Sequence, residues 1–129
     1  MGKITGNYES EQHKIASLVL GDNDFRTETL SVAAAGEGET INIVDGTVLT
    51  RDGDTGKLVV AEDETSPLFV LVDEVITPIT EAGDYAVRVC VSGRVDRRKV
   101  FLDGTAVTDA QVDALRANGI LAEDAYSVQ

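Results

Sequence analysis

The sequence predicts a small, mainly β domain with one short C-terminal helix and a polar N-terminal arm. Three observations carry this reading. Residues 85–91 alternate strictly, with Tyr85, Val87, Val89 and Val91 on one side of a pleat and Ala86, Arg88 and Cys90 on the other. That is the period of a strand with one greasy face. Short apolar runs recur between clusters of Gly, Asp, Asn and Pro, the punctuation of a β domain. Residues 107–120 alone carry a full set of helix signals.

Composition sets the outer bounds. The chain has 129 residues, 43% of them hydrophobic but only 5% aromatic, with no Trp. One domain of ordinary size is expected, its core built from Val, Leu, Ile and Ala. So little bulky filler leaves room for oligomerisation to supply part of the stability. The formal net charge of -12 repels phosphate backbones and anionic lipid headgroups. No nucleic-acid or membrane partner is expected, and no apolar run is long enough to span a bilayer. The N-terminal residues lack the apolar stretch of a secretory signal, so the chain is expected to be made in a cytosol and either to stay there or to leave by assembly or lysis. Cys90 is the single cysteine. Inside a strand it reads as a small buried hydrophobe.

Along the chain, residues 1–14 lack periodicity and form the arm, with 15–129 as the domain. Residues 15–20 read as a strand, 21–24 as a turn and 25–34 as a loosely alternating strand. Gly36-Glu37-Gly38-Glu39 is an acidic loop without the glycine spacing of a phosphate cradle. Residues 40–44 and 47–50 read as short strands on either side of Asp45-Gly46, a hairpin or sharp-bend signal. Residues 51–56 form the next turn. Its Asp52 and Asp54 lack the glycine and flanking helices of an EF-hand, so a β-turn is the reading. A strand at 57–61 and an acidic loop at 62–66 follow. Residues 68–76 are apolar on both faces as far as Asp73, which implies burial on both sides or in an interface. Pro78 and residues 81–84 turn the chain into the alternating strand, which Gly93 is expected to bend.

The helix signals are local. Thr108 is the N-cap, Gln111 completes a capping box, and Val107 and Val112 make the hydrophobic staple. Asp109 and Asp113 suit the positive end. Gly119 is a left-handed C-terminal cap, with Ile120 folding back on Leu115. Residues 121–129 read as a tail.

Chemistry is sparse. His13, the single histidine, leaves no multi-histidine metal site and no ordinary triad. Carboxylates are abundant but fall in turns, where solvated surface is their usual role. No catalytic residue, metal or cofactor is expected. The unusual feature is a basic knot, Arg94, Arg97, Arg98 and Lys99, in an acidic protein. Local salt bridges, a contact with another subunit, and a nucleic-acid contact opposed by the global charge are its three readings.

The order of several short stretches carries one more inference. Residues 29–36, then Ile43-Val44-Asp45-Gly46-Thr47-Val48-Leu49, then Gly56-Lys57-Leu58 resemble the opening of lambda-type bacteriophage head decoration proteins. Pro67-Leu68-Phe69-Val70-Leu71-Val72-Asp73, residues 86–95 and Leu115-Arg116-Ala117-Asn118-Gly119-Ile120 are similar to later segments of that family. The likeness spans roughly residues 27–121.

The resemblance implies a β-tulip-like domain that acts as a structural virion protein, not an enzyme. It implies a homotrimer on the outer face of an expanded capsid, made in the host bacterial cytoplasm, that cements the major capsid protein. It implies an arm ordered on the shell, with Ile4, Thr5, Tyr8 and His13 as contact residues. The basic knot then becomes the cationic side of a subunit or capsid seam. A phage or cell-surface module recognising a host glycan or protein is the alternative.

Overall fold

The computed structural model describes residues 18–21, 23–73, 79 and 81–124. The arm and its residues Ile4, Thr5, Tyr8 and His13 lie outside them. Among the described residues the architecture is mainly β, with one helix near the C-terminus, built on a closed five-stranded barrel.

The strands are β1 (Asp24–Val32), β2 (Val48–Arg51), β3 (Leu58–Val60), β4 (Leu68–Leu71) and β5 (Gly83–Asp96). Their order is β1-β3-β2-β4-β5, and β1 pairs back onto β5 to close the barrel. That seam is the longest ladder, running antiparallel from Asp24 opposite Ser92 to Val32 opposite Gly83. The β1–β3 contact is parallel, at Leu30 and Leu58. Closure removes the exposed edges that a short open sheet would leave.

Alternation along the strands sorts the core into two layers. Leu30, Leu49, Leu58, Phe69, Leu71, Val87 and Val89 come from all five strands and pack together inside the barrel. Val48, Leu68, Val70 and Cys90 point the other way, into a second cluster with Leu102, Val107, Val112, Leu115 and Ile120. β4 is buried at all four positions for this reason. Its two-sided apolar pattern is satisfied within one chain, by the barrel interior on one face and the helical layer on the other. Arg51 stacks 5.3 Å from the Phe69 ring and pairs with Glu28 at 3.3 Å.

The second layer is supplied by the C-terminal third. A 3-10 turn (Arg97–Lys99) leads to β6 (Phe101–Leu102) and β7 (Thr105–Ala106), then α1 (Asp109–Ala117) and β8 (Ile120–Glu123). Both halves of the predicted capping box form: Thr108 Oγ1 accepts from Gln111 N, and Gln111 Oε1 accepts from Thr108 N. Val112 and Leu115 are the buried face of α1. Each contributes about 1.5–3 kcal/mol by burial. Gly119 takes the left-handed conformation at φ +88°.

Two expectations change, and one pair of open readings is decided. Residues 40–44 do not form a strand; they make one isolated bridge, Ile41 to Ile79. Of the two readings of Asp45-Gly46, the structure has the sharp bend: Gly46 donates to Leu71 O at 2.7 Å and accepts from Phe101 N at 2.8 Å, so it ties β4 to β6. Asp103-Gly104, at φ +54° and +80°, makes the tight β6–β7 hairpin instead. Finally, residues 121–123 are not tail but, with Ile120, form β8, parallel to the end of β5 from Gly93–Ile120 to Asp96–Glu123.

Gly93 does re-aim its strand, at φ +136°. Just before it, Phe25 pairs with Cys90 and Asp24 with Ser92, so Val91 is an extra, bulged residue. Before the bulge β5 closes the barrel. After it, Val95 enters the outer cluster alongside Cys90 despite its odd number.

Asn118 joins the layers. Its Nδ2 donates to Ser66 Oγ at 3.0 Å and to Ala114 O at 2.8 Å, and its Oδ1 accepts from Leu68 N at 3.1 Å. Asn118→Ala strands the Leu68 amide beside a buried strand, and the expected loss is about 2 kcal/mol. Urea denaturation measures it, and a change within about 0.5 kcal/mol would show that water replaces the amide.

Candidate functional site

Two surface features stand out. The first is a cleft of about 560 Å³ where the end of β1 meets residues 41–44, Val60 and the β6–β7 hairpin. Val32, Ile41, Ile43, Val44, Val60 and Phe101 supply apolar lining, and Ser31, Asn42 and Thr47 supply hydroxyl and amide groups. None of these groups exchanges a proton near neutral pH, so the cleft can hold apolar groups, and the described residues that line it supply no acid or base. Val44 at its lip is 42% exposed. No sequence signal marked this cleft, because its walls come from stretches far apart in the chain.

The second is the basic knot, which the fold breaks into separate roles. Arg94 Nε lies 2.8 Å from Glu123 Oε1, bridging β5 and β8. Arg97 reaches the helix N-terminus, 3.0 Å from Asp109 and 3.3 Å from Val107 O. Arg98 turns back on Asp96, with Nε 3.2 Å from Oδ1 and Nη2 3.1 Å from Oδ2. Asp96 is buried, 1% exposed, and also accepts from Arg98 N at 3.0 Å, capping the 3-10 turn. Its charge is therefore matched by a guanidinium and a backbone amide, as a buried carboxylate requires. Lys99 is exposed, and no carboxylate among the described residues pairs with it.

The knot thus holds together much of the outer layer: Arg94 links two strands, Arg97 links turn to helix, and Arg98 neutralises a buried acid. These are the local salt bridges weighed from the sequence. The exposed Arg94–Glu123 pair is worth well under about 1 kcal/mol. Sequence alone could not assign these partners, because Asp109 and Glu123 are brought in by the fold.

Cys90 is buried, and burial pushes its thiol up from the ordinary value. Asn23 Nδ2 approaches the sulfur at 3.4 Å. Little thiolate exists at neutral pH, which fits a packing role. Among the described residues no group of three or more His, Cys, Asp and Glu could hold a metal ion. Nor, among them, is any helix long and apolar enough to cross a membrane. The acidic turns are structured by their own side chains. Asp52 Oδ1 accepts from Asp54 N at 2.9 Å, and Thr65 holds the Asp63 carboxyl below its usual range.

The first described residues adjoin the knot. Val19 bridges Val95 antiparallel, and Leu20 N donates to Arg94 O at 2.9 Å. The end of β5 therefore lies between residues 19–20 and β8. Comparison with models of known protein families finds no match, and neither does comparison with curated proteins.

Proposed function

We propose that the chain is a structural virion protein that binds the outside of an expanded phage capsid as a trimer and cements the shell of major capsid protein. The observation that carries this reading is the ordered series of stretches resembling head decoration proteins. Those stretches fall in turn on the end of β1, the Gly46 bend into β2, the start of β3, then β4, β5, and the junction of α1 with β8. All but the last lie on the barrel, and the last lies in the outer layer packed against it. The polar arm suits a segment that orders on a partner by strand addition.

The test uses expanded capsids of the source particle stripped of this chain. Adding the purified protein should give stoichiometric retention and raise the fraction of shells that survive heating. Removing residues 1–14 should abolish retention while leaving the domain's melting transition in place. No retention by the full chain, or no gain in shell survival, would sink the proposal. Retention on host cells instead would favour a surface-recognition module.

A further inference from the structure

We infer that the turn at residues 97–99 is a docking face, that Lys99 is its available charge, and that its partner is an acidic patch on the capsid surface. This rests on the cementing function proposed above and adds the face and the chemistry of contact.

Position comes first. The Val19–Val95 bridge sets residue 18 level with Asp96, the cap of the turn. On the other flank β8 brings Glu123 level with the same Asp96. Residue 14, the last of the arm, is four residues of chain from Leu18, a reach of at most about 14 Å, so a surface that receives the arm lies within reach of Lys99.

Charge comes second. In a chain of net charge -12, Arg94, Arg97 and Arg98 are occupied by Glu123, Asp109 and Asp96. Lys99 is exposed with no carboxylate among the described residues. Arg26 and Arg116 share that state, but neither lies in the basic run that follows Val95, the partner of Val19. An acidic patch is the complement of this turn, while the chain's overall charge works against a phosphate backbone.

Rigidity comes third. Asp96 caps the turn, Val100 N closes it onto Arg97 O at 3.4 Å, and Val107 N donates to Val100 O at 3.2 Å. The Lys99 carbonyl packs on Gly46, where an added Cβ would lie 1.9 Å away. The ammonium is thus presented from a fixed backbone, and little ordering is needed on contact.

The experiment compares Lys99→Glu with Lys57→Glu on the same stripped capsids, across a range of salt. Both variants change net charge equally, and Lys57 lies elsewhere, paired with Asp84 at 2.6 Å. Melting curves check that both fold. Lys99→Glu should weaken retention about tenfold and flatten its salt dependence. Lys57→Glu should shift retention less than about twofold. Equal effects would overturn the inference while leaving the cementing function standing. Failure of the wild-type chain to bind would instead overturn that function. Two further outcomes also count against the inference. One is a Lys99-dependent change in sedimentation without capsids, which assigns the turn to a contact between copies. The other is Lys99-dependent retention of duplex DNA, which assigns it to nucleic acid.

Discussion

Gly46→Ala should leave the domain marginally stable or unfolded. The methyl group would sit 1.9 Å from the Lys99 carbonyl oxygen and 3.1 Å from its carbon, at a φ of +92°. Both obstacles are backbone, so no side chain can swing aside. The left-handed conformation costs roughly 1 kcal/mol or more for a residue with a Cβ. Forcing two packed segments apart adds about 1–3 kcal/mol. The shift would also strain the Gly46–Leu71 and Phe101–Gly46 hydrogen bonds, which join the barrel to its outer layer. An expected loss of about 3–5 kcal/mol is a large part of the stability of an ordinary small domain. Chemical denaturation measures it against Gly53→Ala, where an added Cβ meets nothing within 4 Å. Equal midpoints for the two variants would mean that residues 46 and 99 do not touch.

Gly46 also shows where sequence reading stops. Asp45-Gly46 and Asp103-Gly104 are the same dipeptide, and the stronger flanking runs belong to the first. Yet the hairpin forms at the second, between strands of only two residues each. At 46 the glycine is needed for the approach of another segment, a tertiary demand with no local signature. The helix was legible for the opposite reason: cap, capping box and staple act within a few residues of one another. β8 falls between these cases. Ile120 and Ala122 are buried while Leu121 is exposed, so a period of two is present. Four residues after a helix cap read equally well as tail, and the partner that makes them a strand lies at residues 93–96. The basic knot was visible as charge; its division into a strand bridge, a helix tie and a buried-acid partner required positions 96, 109 and 123 in space. The apolar cleft was invisible, since periodicity describes single segments and the cleft lies between several.

Gly93→Ala is the second large effect, and it comes with an internal control. An added Cβ would lie 2.4 Å from Asn23 Cγ, 2.7 Å from its Nδ2 and 2.8 Å from its backbone α-carbon. The φ of +136° is costly for alanine as well. Asn23 cannot simply turn away, because Nδ2 donates to Arg94 O at 3.0 Å and touches Cys90. The expected loss is about 2–4 kcal/mol. Asn23→Gly alone should cost about 1–2 kcal/mol, through the lost hydrogen bond and a freer turn. In the double variant the side-chain part of the clash is gone, while the clash with the backbone of residue 23 and the strained φ remain. The combined loss should therefore fall below the sum of the two single losses by roughly 1 kcal/mol, a coupling that a double-mutant cycle resolves. Strict additivity would mean that the Asn23 side chain is not the obstacle. The bend in β5 would then be set by the backbone alone, and residues 19–21 and Asn23 would only lie against it. The predicted coupling instead makes Asn23 and Gly93 one device. It turns β5 from the barrel seam, where it pairs with β1, toward β8 and the basic turn.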